Sequence, residues 1–295
     1  MEDPPPPAGA PRARTKRRLV LLLVVVALGA ASYGVYAAWY LSFWKHFPVL
    51  PEDAPLPAGG EINGQIYTNS LEALNAAHSA GHRLIEVDFL FSSDGHLLVA
   101  HPHTIADPSH PPTRAEFLAS RPFGGLTPLA LEGLMDWLEA HPEVFIVTDL
   151  KARDPDEFLR GMRAIRDARP KLLSQVIAQF MAVEQFEPIR ALGYRHLIFT
   201  LYEYKKLDRR EQALILDFSQ KQRAQLVAIT IHQSIAAHEP LVGKLREAGL
   251  PVFAHTVNGL NAARKLKAVG VVGLYSDRFL PGRGGFPPTA EALGV

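Results

Sequence analysis

The pattern that most constrains this chain is a repeat of apolar run, loop and amphipathic helix. It begins near residue 61 and continues almost to the end. Strand-like runs fall at 84–90, 144–150, 175–180, 196–202, 226–231, 251–257 and 271–276. Helix-like segments fall at 70–80, 129–140, 156–168, 183–192, 209–222, 240–248 and 260–268. Strands that alternate with helices argue for an α/β fold on a parallel sheet. Seven such units lack one strand of a (β/α)8 TIM-type barrel. The missing strand has to precede Gly59, within EDAPLPAGG. Proline cannot donate to a ladder, so this first strand is expected to be degenerate. No GxGxxG or GxxxxGK[ST] motif marks an open, nucleotide-binding sheet, which favours the barrel.

Ahead of the repeat, residues 19–44 contain no charged side chain. As a helix they would span about 39 Å, more than the roughly 30 Å hydrocarbon core of a bilayer. Arg12, Arg14, Lys16, Arg17 and Arg18 precede the stretch, and Tyr33, Tyr36, Trp39, Tyr40 and Trp44 crowd its far end. This reads as one transmembrane helix with a disordered basic tail, 1–18, on the cytoplasmic side. Residues 45–57 are then a linker, and 58–295 a barrel on the periplasmic or extracellular side of the cytoplasmic (inner) membrane. The alternative is a cleaved signal peptide, suggested by the small residues Ala27, Gly29, Ala30 and Ala31. Its apolar core would be shorter, roughly 7–15 residues.

The net charge of +1 gives no global argument for nucleic acid as a partner. The absence of cysteine excludes disulfides, thiolate metal sites and cysteine nucleophiles. The chemistry must therefore come from polar residues at strand ends, where the catalytic groups of such barrels gather. Glu86 and Asp88 are two apart in a strand, so both carboxylates face one side. A turn at Ser93-Asp94-Gly95 then returns the chain to His101. The next strand ends in Asp149 and Lys151, and later ones in Gln179, Tyr202, His232, His255 with Asn258, and Ser276 with Asp277. Three carboxylates suit a hard divalent cation such as Mg²⁺ or Ca²⁺. A cation together with Lys151 would clamp a phosphoryl group, and His101 would supply acid/base chemistry. Asp136, Trp137 and His141 are assigned to helix surface and helix end, without function.

The segments AGG (58–60), YTNSLEAL (67–74), GHRLIEVDFLFSSDGHLLVAHP (81–102), VTDLKARDP (147–155), VFAHTVN (252–258) and GLYSDRFLP (273–281) stand in a fixed order. In that order the chain resembles the glycerophosphodiester phosphodiesterase family, one of the PI-PLC-like phosphodiesterase barrels. The resemblance implies cleavage of phosphodiesters with a divalent metal and two histidines. It assigns Glu86, Asp88 and Asp149 to the metal, with Asp149 standing where the family usually has Glu. It gives Lys151 to the phosphate, His101 to the second catalytic histidine, and Asn69 to the Asn of the family's P-E-N-T segment. Gln179, Tyr202 and Asn258 complete the expected substrate contacts. Three positions depart from the pattern. Pro57 stands where the first histidine is expected, Thr68 takes the acidic place in P-E-N-T, and His255 falls where many members carry Trp. His255, at the same strand ends, is the candidate replacement for the first histidine.

The expected function is thus a metal-dependent phosphodiester hydrolase acting on glycerophosphodiesters or related lipid head groups. A pseudoenzyme that binds a phosphorylated ligand or a partner protein stays open because of Pro57. So does a phospholipase-type reaction that releases a cyclic phosphate. The residues leave the oligomeric state open.

Overall fold

Alternation of strand and helix follows from local chemistry that recurs unit by unit. The computed structural model describes residues 55–57 and 65–277, except 203, 205–206 and 238–239. The apolar stretch 19–44 and the Ala58-Gly59-Gly60 segment lie outside these residues. Among the described residues no helix is long and apolar enough to cross a membrane. The helices longer than one turn are α1 Leu71–Ser79, α2 Arg114–Ala119, α3 Leu131–Glu139, α4 Pro155–Ala168, α5 Phe186–Ala191, α6 Arg209–Lys221, α7 Leu241–Glu247 and α8 Leu260–Val269. Helix α4 shows why they form. Asp154 caps its N-terminus by accepting from the Glu157 amide, and Pro155 sits in the first turn, where no N–H is needed. Phe158, Met162 and Ile165 then fall on one stripe and are buried. Burying each such side chain contributes roughly 1.5–3 kcal/mol. Helix α6 starts with a capping box between Asp208 and Glu211.

The strands are β1 Pro55–Pro57, β2 Leu84–Phe91, β3 Leu97–Val99, β4 Leu129–Ala130, β5 Phe145–Leu150, β6 Val176–Phe180, β7 Leu197–Thr200, β8 Leu226–His232, β9 Val252–His255 and β10 Gly273–Ser276. They form one sheet in the order β1-β10-β9-β8-β7-β6-β5-β2-β3-β4. The eight strands from β1 to β2 in this order are parallel. Strands β3 and β4 add on antiparallel, as an extension of β2 that the periodicity alone did not resolve.

The sheet is curled. Strands β6 and β10 are four strand spacings apart, roughly 19 Å if the sheet were flat. Yet the Tyr275 hydroxyl on β10 donates to Gln179 Oε1 on β6 at 3.2 Å. Cα atoms of β1 and β2, at the two ends of the parallel run, come within 8 Å of each other. No ladder joins them among the described residues. Residues 55–57, at the end of the expected linker and inside the segment expected to hold a degenerate first strand, thus supply that strand, paired with β10 alone among the described residues. The reason is in its composition. Alternate residues of a strand address alternate neighbours, so Pro55 and Pro57 strip the donors from one edge of β1.

Two faces follow from the two-residue period of each strand. Ile85, Val87 and Phe89, Ile146 and Leu150, Val176, Ala178 and Phe180, Leu197 and Phe199, Ile229 and Ile231 form one core with helix residues such as Leu134, Phe158 and Ile215. The alternate positions line the concave face. There Gly273 is required, because a Cβ would stand 2.5 Å from the Phe253 ring. Trp137, expected on the surface of α3, is instead buried at 7% exposure and donates from Nε1 to Asn75 Oδ1 on α1. Its helix lies against another element on that side, so the indole gains apolar contacts and a partner for its N–H. Asp136 is on the surface, paired with Arg169 at 2.7 Å.

Candidate active site

The concave positions nearest the C-terminal strand ends are polar on successive strands. They are Glu86 and Asp88 on β2, Asp149 on β5, Gln179 on β6, Thr200 on β7, Thr230 on β8, and His255 on β9. Burial of so many polar groups carries a cost unless they are paired or bind something. The register puts Asp88 directly beside Asp149. Glu86, Asp88 and Asp149 are all buried, and they can bring one oxygen each within 4.8 Å of one another. Lys151 lies between two of them, with Nζ at 2.9 Å from Asp88 Oδ1 and 2.6 Å from Asp149 Oδ2. Its own amide donates to the Phe89 carbonyl at 2.8 Å, which anchors it just past the end of β5.

One ammonium balances one of three carboxylates. Burial first, then the neighbouring charges of Asp149 and Asp88, push the Glu86 carboxyl well above the usual carboxylate range. Asp149 Oδ1 is buried with no hydrogen-bond partner among the described residues. Oxygen-only donors, an unspent carboxylate oxygen and a deficit of two positive charges fit a hard divalent cation. Metal binding would be held by Glu86, Asp88 and Asp149.

Asn69 fixes Asp88 in place. Its Nδ2 donates to Asp88 Oδ2 at 2.9 Å, and its Oδ1 accepts from the Asp88 amide at 3.0 Å. The hairpin expected after β2 forms, turning at Gly95 with φ of 82°. The Ala100 amide closes it onto the Asp88 carbonyl at 3.0 Å. That carries His101 to the edge of the acidic trio. His101 Nδ1 accepts from the His103 amide at 3.2 Å, so in the neutral ring Nε2 carries the proton. Burial depresses the His101 pKa, with Asp88 acting in the opposite direction.

His255 stands across the site on β9, in register with His232 on β8. The Tyr202 ring packs on it edge to face at 3.9 Å. Its Nε2 is buried without a partner among the described residues. Burial, with the charges of His232 and Lys151, lowers its pKa to about 3. Gln179 accepts at Oε1 from Tyr275 and keeps a buried Nε2 without a partner among the described residues. Asn258, expected to meet substrate, uses its amide inside the protein. Nδ2 donates to Asp277 Oδ2 at 2.9 Å, and Oδ1 accepts from Ser276 Oγ and from the Asp277 amide, each at 3.0 Å. Asn69 is committed to Asp88 in the same way. At the position of the expected first histidine, Pro57 ends β1 in register with Ser276. Tyr67, which the sequence did not single out, also lies at this site, with its ring stacked on His101 at 4.9 Å. An aromatic two residues before Asn69 is visible in the sequence; its entry into the site depends on a positive φ that no periodicity encodes.

Carboxylates, a lysine and two histidines at one end of a curled parallel sheet make up a polar site suited to an anionic, oxygen-rich ligand. The chain has the fold of the glycerophosphodiester phosphodiesterases. A glycerophosphodiester phosphodiesterase of Parabacteroides distasonis is similar at a TM-score of 0.62 and 17% identity, covering 76% of this chain and 93% of that one. An Oleispira antarctica phosphodiesterase, in complex with the product sn-glycerol-3-phosphate, is similar at 0.60 and 18%, covering 76% and 92%. A glycerophosphodiester phosphodiesterase of Agrobacterium tumefaciens is similar at 0.56 and 18%, covering 77% and 96%. At these identities the likeness is one of fold. No protein-family profile and no curated protein matches the sequence.

Proposed function

We propose that this chain is a metal-dependent phosphodiester hydrolase acting on glycerophosphodiesters or related lipid head groups. The observation that carries the reading is the buried trio Glu86, Asp88 and Asp149 with Lys151 between two of its members. It stands at the strand ends of a fold shared with phosphodiesterases, one of them holding sn-glycerol-3-phosphate. A divalent cation bound by the trio, Mg²⁺ or Ca²⁺, would neutralise charge on the phosphoryl oxygens. Lys151 turns its ammonium to the same phosphoryl group. His101, as imidazolium, gives its Nε2 proton to the leaving alkoxide. His255, whose buried Nε2 has no partner among the described residues, faces the opposite side of the phosphoryl group. There, in the place of a histidine at position 57, it takes the proton of the hydroxyl that attacks phosphorus as the bond to the leaving alkoxide breaks, while Gln179 and Tyr202 line the pocket between them. Asn69 and Asn258 serve by holding Asp88 and Asp277. The apolar stretch 19–44 would anchor the chain in the cytoplasmic membrane, N-terminus inside, next to a substrate that originates in the bilayer.

The test follows alcohol release from a panel of glycerophosphodiesters by the full chain in detergent, with Mg²⁺, with Ca²⁺ and with EDTA. Turnover that needs the divalent ion is expected. A second reading, a pseudoenzyme, is favoured by one observation: the end of β1 carries Pro57 and no imidazole. Retained metal binding with no turnover across the panel would establish that reading instead. Product analysis for a cyclic phosphate separates hydrolysis from the phospholipase-type route.

A further inference from the structure

Residues 67–70 enter the site along strained backbone. Tyr67 and Asn69 have φ of 55° and 47°. Asn visits this region readily, but a bulky aromatic does so at a cost. Asn69 holds the conformation: besides its two bonds to Asp88, its Nδ2 donates to the Tyr67 carbonyl at 3.2 Å. The side chain that fixes Asp88 therefore also fixes Tyr67. The Tyr67 ring stacks on His101 at an interplanar angle of 28°, and the His101 ring stacks on His103 at 4.6 Å. At its other end the phenol is half-buried. Burial raises its pKa, the Thr256 side chain just past β9 lowers it, and the charges of Asp277 past β10 and of Glu86 and Asp88 on β2 raise it further. The ring thus lies against His101, within reach of the charges on β2.

We propose that the Tyr67 hydroxyl donates a hydrogen bond to a phosphoryl oxygen of the bound phosphodiester, on the side of the site where its ring stacks on His101. This rests on the phosphodiesterase reading above. Strained, over-determined backbone is characteristic of ligand clamps, and stacking on His101 gives the phenol a fixed position relative to the acid/base group. Burial and the nearby carboxylates raise the Tyr67 pKa, so the phenol stays protonated and serves as donor, not base.

Tyr67→Phe tests this in the full chain in detergent. The substitution keeps the ring, the stack and the backbone strain, and removes only the hydroxyl. Binding of sn-glycerol 3-phosphate and of inorganic phosphate is measured by calorimetry with saturating Mg²⁺. Affinity is expected to fall about 10- to 100-fold, the range for a hydrogen bond to a charged group, with Mg²⁺ affinity and melting temperature unchanged. A structural role alone would lower the melting temperature and leave phosphate affinity intact, and that result overturns the proposal. Thr256→Val removes the hydroxyl that acts on the phenol's pKa and leaves the phenol itself, so it should bind the probes at least as tightly as wild type. A loss equal to that of Tyr67→Phe would mean that the pairing of the two side chains matters and the donor does not, which overturns the proposal. If the wild-type chain binds neither probe, the phosphodiesterase reading falls and this assignment with it. If wild type binds and Tyr67→Phe binds equally well, only the assignment of Tyr67 falls.

Discussion

Replacing Lys151 with Met removes the cation between Asp88 and Asp149 while keeping a long apolar stem. Both ion pairs are short, 2.6 and 2.9 Å, and the carboxylates are 2–3% exposed. Breaking a fully buried pair costs about 3–5 kcal/mol, because the remaining charge is left uncompensated. The Lys151 side chain is 23% exposed, which places the cost at the low end, about 3 kcal/mol. For a unit of this size each kcal/mol lowers the melting temperature by about 2–4 °C, so the Met variant should melt about 6–12 °C below wild type in EDTA. A divalent ion bound by Glu86, Asp88 and Asp149 would supply the missing positive charge. Millimolar Mg²⁺ or Ca²⁺ should therefore recover most of the deficit and stabilise the variant more than wild type. The assay is thermal unfolding of both chains in detergent, with EDTA and with each ion. If the variant melts with wild type in EDTA, or if the ions shift both chains equally, the electrostatic account of the trio is wrong.

Glu86→Gln should abolish the metal-induced rise in melting temperature and metal-dependent turnover together. A carboxyl raised in the folded state stabilises below its unfolded pKa, and that contribution is lost as pH climbs through the folded value. The metal-free wild type should therefore lose stability toward alkaline pH, and Glu86→Gln should not; melts across the pH range check both. Asn69→Ala removes two bonds to Asp88 and should weaken metal affinity about 10- to 100-fold, as loss of a ligand's supporting partner does, measured by Mg²⁺ titration calorimetry. The depressed His255 pKa implies the opposite sign. Its neutral form is favoured by folding, so that contribution is present above about pH 6.5 and is lost as pH falls toward 3. His255→Gln should move acid unfolding, followed by circular dichroism, to lower pH, and should reduce turnover at neutral pH. Unchanged turnover would remove His255 from the acid/base pair.

Much of this molecule is written locally. The acidic pair on β2 and the Asp149-x-Lys151 pair on β5 are visible as two-residue spacings, because a strand sends alternate side chains to the same face. Caps such as Asp154 before Pro155, and Asp208 before Glu211, fix helix starts within a turn. The strand runs could be placed to within a few residues for the same reason: a buried parallel strand has to be apolar on its helix-covered face. Strand β1 was harder to see. Three residues with two prolines carry almost no strand propensity, and only the adjacent edge of β10 makes them a strand. The β3–β4 extension was likewise decided by what β2 left unpaired.

The sequence by itself determined the α/β repeat, the inventory of polar strand ends and the absence of a histidine at Pro57, since each depends on neighbours along the chain. Tertiary structure alone decided which of those polar groups meet. Curling brought β10 to β6, so that Tyr275 reaches Gln179. Strand register set Asp88 beside Asp149, with Lys151 between them. Long-range hydrogen bonds turned Asn69 and Asn258 toward Asp88 and Asp277. A positive φ brought Tyr67 over His101. The physical reason is the same throughout. Spacing within a strand or helix is fixed by covalent geometry, whereas contacts between elements depend on how the whole sheet curls, which no single segment encodes.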